Sequence, residues 1–410
     1  MKDKERQFRQ QAGKVVQECA QLPEPEKEQL DLSEALQHRI RQEIQSQGGS
    51  VFFEQFMQMA LYEPGLGYYT SGLHKFGEGG DFVTAPEISP LFGRCLAHFC
   101  LPVFDMIQDR TILEFGAGSG RMAADILSEL DRLESLPSAY LILELGEELR
   151  QRQAETLKNQ VPHLLNRVQW LQQLPGPGFK GIVLGNELLD AMPVYRFQIG
   201  NAELQEMAVQ WSAQRSGFVS VSMPPRHELI QAVGHIQQYL GHELAHGYES
   251  EVSLSQTAWV KSVSDFMQEG VALLIDYGYG RPEYYHPDRS MGTLMCHYRH
   301  RAHPDPFRYV GLQDITSYVD FTAVAEAGTG SGMDLLGYTT QCGFLLGNGL
   351  ESMMPDLDSA SQQDLLTVSR QVKTLTMPGE MGERFKVMAL GKGINCGLQG
   401  FALQDQRGRL

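Results

Sequence analysis

The sequence predicts an α/β protein whose core is a doubly wound, mainly parallel sheet. Three observations support this prediction. Short apolar runs that fit buried strands alternate with amphipathic helical stretches from residue 111 to residue 184, and a glycine-rich turn separates the first strand from the first helix. Repeated strand–helix units pack as a parallel sheet covered by helices. The alternation breaks between about residues 195 and 265, which predicts an inserted subdomain.

The amino-terminal region, residues 1–104, is expected to be a helical segment with one long irregular stretch. Residues 1–48 are polar and helix-forming, and apolar residues at helical spacing predict a helix over 52–62. Residues 63–90 hold too many turn-forming residues for one regular element, and loops of that length usually carry function or are disordered. A further helix is expected from about 90 to 106.

The core is assigned to residues 105–195 and 266–395, with a helix followed by a strand pair expected in the tail from residue 333. Apolar runs bounded by turn residues give its predicted strands. The predicted strands and their intervening helices cover 111–115, 120–133, 140–145, 147–158, 168–171, 181–184 and 271–275.

Residues 196–265 are assigned to an inserted cap on the core. Alternating residues joined by turns containing Gly or Asn predict three short antiparallel strands here, and two helices follow. The expected elements cover 195–199, 204–209, 218–223, 226–243 and 255–268.

The composition and charge of the chain exclude some classes of binding partner and predict where the protein is located. The formal net charge of −16 opposes nucleic-acid binding, which requires clustered Lys and Arg, and it suits a basic protein partner. No apolar run reaches the length of a membrane span, so no membrane insertion is expected. The amino-terminal residues lack the apolar core of a signal peptide, and acidic residues such as Asp3, Glu5 and Glu18 argue against a mitochondrial transit peptide, which predicts a cytoplasmic protein. The six cysteines lack the spacing of zinc ligands, so no bound metal is expected. The sequence is compatible with an oligomer.

The turn after the first predicted strand is the strongest pattern in the sequence. Gly116, Gly118 and Gly120 allow left-handed backbone and close approach of a ligand, and the helix that follows presents free N–H groups. The spacing is GxGxG, which differs from the GxGxxG of dinucleotide sites and from phosphate-binding loops. This favours a ligand that offers an amino-acid carboxylate and an adenosine.

Two acids flank that turn. Glu144 ends the next strand, where a carboxylate can accept hydrogen bonds from ribose hydroxyls, and Glu114 could address the amino group of the ligand. The alternative is a tight structural turn with Glu144 as a solvated strand end. S-adenosylmethionine fits the pattern better than NAD, because an activated sulfonium requires mainly alignment of a lone pair and removal of one proton.

Five motifs occur in order along the chain: GDFVTAPEIS (80–89), EFGAGSG (114–120), GNELLDAMP (185–193), IDYGY (275–279) and DITSYVDFT (314–322). Together they resemble one known family, the MidA-like methyltransferases, over about residues 50 to 390. The resemblance implies a seven-stranded, Rossmann-like methyltransferase domain and S-adenosylmethionine as the donor. For the mitochondrial member it implies symmetric dimethylation of an arginine in a protein.

Carried onto this sequence, the resemblance implies that the three glycines line the donor and that Glu144 takes the ribose. The segment that contains Gly80, Asp81, Phe82 and Thr84 would fold over the open side of the donor. Asp81 could instead cap a turn. An active methyltransferase that acts on a small molecule, or a non-catalytic assembly factor on the same fold, are the alternative functions.

Catalytic candidates follow the predicted strand at 181–184. Asn186, Glu187 and Asp190 sit at the carboxyl end of a parallel strand, and two acids three residues apart would share a face if a helical turn begins there. Paired carboxylates can orient a guanidinium and compensate its charge. The alternative makes Asn186 a helix N-cap and Asp190 part of a turn.

Three further residues are substrate-binding candidates. Asp276 and Tyr277 end a strand on the same rim and could bind substrate or satisfy turn backbone. His297 belongs to a histidine-rich stretch, 296–303, that lacks metal-ligand spacing. That stretch is expected to be a basic loop facing the substrate, or a plain solvated loop.

Overall fold

A computed structural model describes residues 22–71, 84–200, 203–354, 361–394 and 397–410. The chain divides into two compact units. The core unit contains the described parts of Val83–Asp190, Ser255–Tyr284 and Tyr318–Leu410, and the second unit contains those of Met1–Phe82, Ala191–Leu254 and Tyr285–Ser317.

Helices are found in both units, and none of them, within the described ranges, is long and apolar enough to cross a bilayer. In chain order they are α1 (Lys27–Ser46), α2 (Phe53–Tyr62), α3 (Ala85–Ile88), α4 (Pro90–Phe104), α5 (Arg121–Arg132), α6 (Glu147–Gln160), α7 (His227–Leu240), α8 (Leu254–Phe266), α9 (Arg281–Tyr284), α10 (Phe321–Gly330), α11 (Gln341–Gly347), α12 (Gln362–Thr376) and α13 (Met381–Arg384).

Most of the described strands have two to nine residues. The strands are β1 (Val51–Phe52), β2 (Thr111–Phe115), β3 (Ala139–Leu143), β4 (Val168–Leu171), β5 (Phe179–Asn186), β6 (Tyr195–Ile199), β7 (Leu204–Ser212), β8 (Gly217–Met223), β9 (Glu249–Val252), β10 (Met267–Tyr279), β11 (Met295–Tyr298), β12 (Arg301–His303), β13 (Asp314–Thr316), β14 (Val319–Asp320), β15 (Asp334–Thr340) and β16 (Phe385–Lys392). Strand β10 has 13 residues, which is longer than its apolar run predicts.

The described residues of the core unit form an eight-stranded sheet in the order β15-β16-β10-β5-β2-β3-β4, with β14 paired to β10. The five strands from β4 to β10 run parallel, and β16 lies antiparallel between β10 and β15. This is the Rossmann-like α/β fold that the sequence predicts. Helices α11 to α13 connect β15 to β16.

Apolar side chains from the strands and from α4 and α5 form the core of this unit. Ile112, Ile182 and Leu273 on three neighbouring strands are fully buried, and so is Phe92 on α4. Truncating side chains in such positions to Ala typically costs about 2–5 kcal/mol. The packing therefore fixes the strand ends, where the polar residues lie.

The second unit contains a five-stranded antiparallel sheet, in the order β1-β7-β6-β9 with β8 beside β7, and a three-stranded sheet, β12-β11-β13. Phe56 of α2 meets Phe218 and Phe307 edge to face, with ring centroids 5.5 and 5.2 Å apart. The antiparallel strands expected between residues 195 and 223 are therefore confirmed.

The predicted order of elements in the tail is wrong. The tail begins with the strand β15, helices α11 to α13 follow, and β16 ends it as the last strand. A strand was missed because DLLGYTT contains a glycine and polar residues, whereas its inner half is buried. The expected pairing of two tail strands is present, since β15 pairs with β16.

The division into units differs from the expected boundaries. Helix α4, assigned to the amino-terminal segment, packs in the core unit, and so does α8, assigned to the insertion. Residues 285–317, assigned to the core, group with the insertion. No change in composition marks the boundary at residue 285.

Candidate active site

The polar residues singled out in the core unit lie at one edge of its sheet. Strands β3, β2, β5 and β10 are adjacent and parallel, so their carboxyl ends share that edge. The glycine turn (residues 116–120) follows β2, Glu144 follows β3, and the acidic turn (residues 186–190) begins at the last residue of β5. Ligand sites of open α/β sheets form at such edges.

The glycine turn has the backbone that its composition predicts. Gly116, Gly118 and Gly120 all have left-handed φ angles, of 64°, 53° and 81°. Helix α5 begins at Arg121, so its free N–H groups and positive dipole end face the turn. A Cβ at residue 120 would lie 2.9 Å from Cα of Gln153. Gly120 is therefore required both by its φ angle and by close packing on α6.

Glu144 is held in a defined orientation just beyond β3. The N–H of Gly146 donates to its Oε1 at 2.9 Å, and the side-chain amide of Gln153 donates to its Oε2 at 3.1 Å. The next residue, Leu145, is 71% exposed. Strand β3 thus ends in an oriented carboxylate followed by an accessible apolar side chain, which is not the solvated strand end of the alternative interpretation.

Glu114 lies deeper than expected. Its side chain is buried and accepts a hydrogen bond from the Tyr140 hydroxyl, at 2.6 Å, on the same face of the sheet. Burial raises the pKa of Glu114 to about 7, although the Tyr140 hydrogen bond opposes this. The predicted contact between Glu114 and the amino group of a donor stays a prediction. The burial of the Glu114 side chain does not favour it.

The acidic turn is not helical, so the expected shared helical face of Glu187 and Asp190 is wrong, as is Asn186 as a helix N-cap. Glu187 has a left-handed φ of 49°, and its N–H donates to the Ile275 carbonyl at 2.9 Å. The hydrogen bond to β10 continues the sheet while the chain turns sharply. Strained backbone of this kind at a strand end is common in active sites.

Asp276 satisfies turn backbone, which is the second of the two roles considered for it. It accepts hydrogen bonds from the N–H groups of Leu189, Asp190 and Tyr277, at 2.9, 3.2 and 2.9 Å. Burial raises its pKa well above the usual value, and the charges of Asp190 and Glu187 raise it further. Asp276 is therefore the internal support of the acidic turn.

The other side chains of the turn differ in accessibility. Tyr277 donates its hydroxyl to Oδ2 of the buried Asp190, whereas Glu187 is partly exposed. Asn186 donates to Oε1 of Glu187 at 3.2 Å, and its own Oδ1 is buried with no hydrogen-bond donor within the described part of the chain. The turn thus presents one accessible carboxylate and one acceptor that lacks a donor.

The segment expected to fold over the donor is described only in part. Gly80, Asp81 and Phe82 lie outside the described residues, and Thr84 directly precedes α3 without capping it through its side chain. Glu87, in the same motif, contacts the glycine turn, which its place in the sequence does not indicate. The Ser119 hydroxyl, in the glycine turn, donates to Oε1 of Glu87.

His297 belongs to the second unit. It lies on β11, in a hairpin with β12 whose two-residue turn, Arg299–His300, has left-handed φ angles of 45° and 59°. The expectation of a loop over 296–303 is therefore wrong. Burial lowers the pKa of His297, and the nearby His303 lowers it further, which favours a neutral imidazole. Its role in substrate binding stays a prediction.

The family is decided by residues 95–339, which match the model of Methyltransf_28, described as S-adenosyl-L-methionine-dependent methyltransferases. The chain belongs to this family. A member of the COG1565 superfamily from Burkholderia thailandensis, solved bound to S-adenosyl-homocysteine, is 43% identical to this Methyltransf_28 protein. The two superpose with a TM-score of 0.89, over 95% of this chain and all of that one. The native structure of a COG1565 protein from the same organism gives a TM-score of 0.87 at the same identity.

More distant relatives carry a named activity. The zebrafish protein arginine methyltransferase NDUFAF7, mitochondrial, is 28% identical in an alignment of 372 positions that covers 83% of each chain. The homologue from Drosophila melanogaster is 27% identical in an alignment of 409 positions that covers 90% of each chain.

Proposed function

We propose that this protein transfers a methyl group from S-adenosylmethionine to the guanidinium of an arginine in a protein substrate. The observation that carries the proposal is the acidic turn, which lies at the carboxyl end of β5, beside the glycine turn at the end of β2. A Cβ on Gly116 would be 3.6 Å from Leu188 of the acidic turn, so the two turns are in contact.

The residues at the sheet edge fit the donor. The left-handed glycines and the amino terminus of α5 offer N–H groups to the amino-acid carboxylate of S-adenosylmethionine. Glu144 offers oriented oxygens to ribose hydroxyls, and the exposed Leu145 offers an apolar surface to the adenine. When bound, the donor supplies an electrophilic methyl group on a positively charged sulfur.

The acidic turn suits a cationic acceptor. Burial raises the pKa of Asp276, and the negative charges of Asp190 and Glu187 raise it further. A guanidinium beside the turn would relieve the repulsion among these carboxylates. Glu187 is accessible to such a group, and Oδ1 of Asn186 needs a donor that a guanidinium N–H supplies. These residues would orient one guanidinium nitrogen toward the methyl group.

The proposed transfer is balanced by the loss of one proton. The guanidinium nitrogen forms a bond to the methyl carbon, the carbon–sulfur bond breaks, and its electron pair stays on sulfur to give S-adenosyl-homocysteine. The nitrogen then carries one proton too many, which passes to Glu187 or through it to solvent. Orientation and charge compensation by carboxylates are thus the main tasks of the protein.

The names of the distant relatives support arginine as the acceptor, at identities of 27–28%. A methyltransferase that acts on a small molecule is the alternative, because an acidic turn would also bind a small cationic substrate. A cytoplasmic location, expected from the sequence, is part of the proposal.

The proposal is tested by incubating the full chain with methyl-labelled S-adenosylmethionine and proteins from cells that lack the gene. We expect label in the protein fraction, and methylarginine after hydrolysis of that fraction to amino acids. Label in another amino acid would overturn arginine as the acceptor. Label found only in molecules of low mass would favour the small-molecule alternative.

A further inference from the structure

A buried glutamine joins the two elements that would hold the methyl donor. Gln153 lies on α6, and its side chain is fully buried. Its Nε2 donates to the Gly118 carbonyl of the glycine turn at 3.2 Å and to Oε2 of Glu144 at 3.1 Å. Its Oε1 accepts from Nε1 of Trp170, on β4, at 2.9 Å.

The chemistry of the partners fixes the orientation of this amide. An indole N–H can only donate, whereas a carboxylate and a carbonyl can only accept. The amide oxygen of Gln153 must therefore face Trp170, and its NH₂ group must face Gly118 and Glu144. Both donors and the acceptor of a buried side chain are used, which favours a single conformation.

The backbone of Gln153 is held against the same turn. The Cβ that Gly120 lacks would come within 2.9 Å of Cα of Gln153 and 3.2 Å of its carbonyl oxygen. Helix α6 thus packs directly on the glycine turn at the residue that supplies the amide. A side chain at residue 120 would push away both the helix and the amide.

We infer that Gln153 is a positioning residue that ties Glu144 to the glycine turn and so sets the affinity for the methyl donor. This inference rests on the proposed function. Glu144 and the Gly118 backbone would bind different parts of the donor, its ribose and its amino-acid end. One shared amide holds these two groups at a fixed separation. The binding site is therefore preorganised, and donor binding does not have to order these groups.

The decisive variants change the amide and leave the donor-binding groups in place. Gln153→Glu keeps an acceptor for Trp170 but sets a carboxylate against Glu144 and the Gly118 carbonyl. Trp170→Phe removes the indole N–H together with part of the ring, and it keeps an aromatic side chain in the same place. Gln151→Glu, on the exposed face of α6, is the control, because it also brings a second carboxylate near a glutamate, Glu147.

The measurement is calorimetric titration with S-adenosyl-homocysteine, together with the KM for S-adenosylmethionine and kcat. We expect Gln153→Glu to weaken affinity and to raise KM at least tenfold, with kcat within about twofold at saturating donor. Trp170→Phe should weaken affinity about two- to fivefold, and Gln151→Glu should leave it unchanged. All variants should keep the circular dichroism spectrum of the wild type.

A double mutant separates positioning from a general loss of structure. Glu144→Gln alone removes the charge at the ribose position. Glu144→Gln combined with Gln153→Glu restores the donor–acceptor pair between residues 144 and 153 but leaves a carboxylate against the Gly118 carbonyl. We expect the double variant to lose less affinity than the sum of the two single losses, so that the two effects are not additive.

Additive losses in the double variant would overturn the inference. If Gln153→Glu bound the donor as tightly as the wild type, the inference about Gln153 would also be overturned. The proposed function would still stand in that case, because the wild-type protein binds the donor. Absence of binding by the wild type itself would reject both the inference and the proposed donor.

Discussion

Three carboxylates near the edge of the core sheet have similar chemistry but different surroundings. Glu187 is accessible, Asp276 is occupied by three backbone N–H groups, and Glu114 is buried against Tyr140. Only the first of these can meet a substrate directly without rearrangement. The other two support the turn and the sheet on which the site is built.

Glu187→Gln is expected to lower methyl transfer at least tenfold while donor affinity stays within about twofold. The amide keeps the shape but loses the charge that would compensate the guanidinium and the base that would accept its proton. Turnover and S-adenosyl-homocysteine affinity are measured on the same preparation.

Glu134→Gln is the matched control, because Glu134 is an exposed glutamate with a similarly left-handed φ of 53°. It should retain full activity. Near-normal turnover of Glu187→Gln would remove Glu187 from the reaction.

Glu114→Gln is expected to make stability less dependent on pH. Because the pKa of Glu114 is raised to about 7 in the fold, its contribution to the free energy of unfolding is present at low pH and lost as pH rises from about 4.5 to about 7. Relative to the wild type, the variant should gain about 2–3 kcal/mol between pH 5 and pH 8. Denaturant unfolding at both pH values measures this, and an equal difference at both would contradict the shift.

At the residue scale, the sequence predicted the groups whose positions depend on the local backbone. It did not predict the groups whose positions depend on partners that are distant in the sequence. The left-handed glycines and the carboxylate after β3 follow from composition and strand order. Gln153 and Glu87 were missed because their partners are 9 to 35 residues away. Glu187 and Asp190 would share a face only if a helical turn began there, and nothing in the sequence indicates the left-handed glutamate that prevents it.

At the element scale, the contact between α6 and the glycine turn is the most sensitive part of the site. Gly120→Ala would add a Cβ 2.9 Å from Cα of Gln153 and strain a φ of 81°. We expect it to weaken S-adenosyl-homocysteine binding at least tenfold, because the turn or the helix must move.

The control for that variant is Gly241→Ala, at the end of α7. Its φ is 72°, and a Cβ there meets nothing within 4 Å. It should cost about 1 kcal/mol of stability and leave donor affinity unchanged. Equal donor affinity in the two alanine variants would show that the close packing at residue 120 is not needed.

Elements were predictable where their periodicity was simple. The buried parallel strands appear as apolar runs, and α5 shows its apolar face in the sequence. Strand β15 and the β11–β12 hairpin were missed for different reasons. The first mixes polar and apolar residues, and the second turns through Arg299–His300, whereas such turns normally contain Asn-Gly or Gly.

At the scale of the whole molecule, the chain crosses repeatedly between its two units. Residues 191–254 and 285–317 leave the core and join the amino-terminal part. The first excursion was predicted from its antiparallel strands, and the second was not, because its boundaries carry no break in composition. The net charge of −16 belongs to the whole chain and suits the arginine-containing protein substrate that we propose.

The central claim is that the glycine turn holds S-adenosylmethionine, and calorimetric titration of the full chain tests it most directly. We expect micromolar binding, about −8 kcal/mol, no binding of NAD, and no binding by Gly118→Val. Valine at residue 118 would place a β-branched side chain in left-handed backbone, at a φ of 53°, where the donor approaches. Absence of binding by the wild type, or equal binding by Gly118→Val, would contradict the claim.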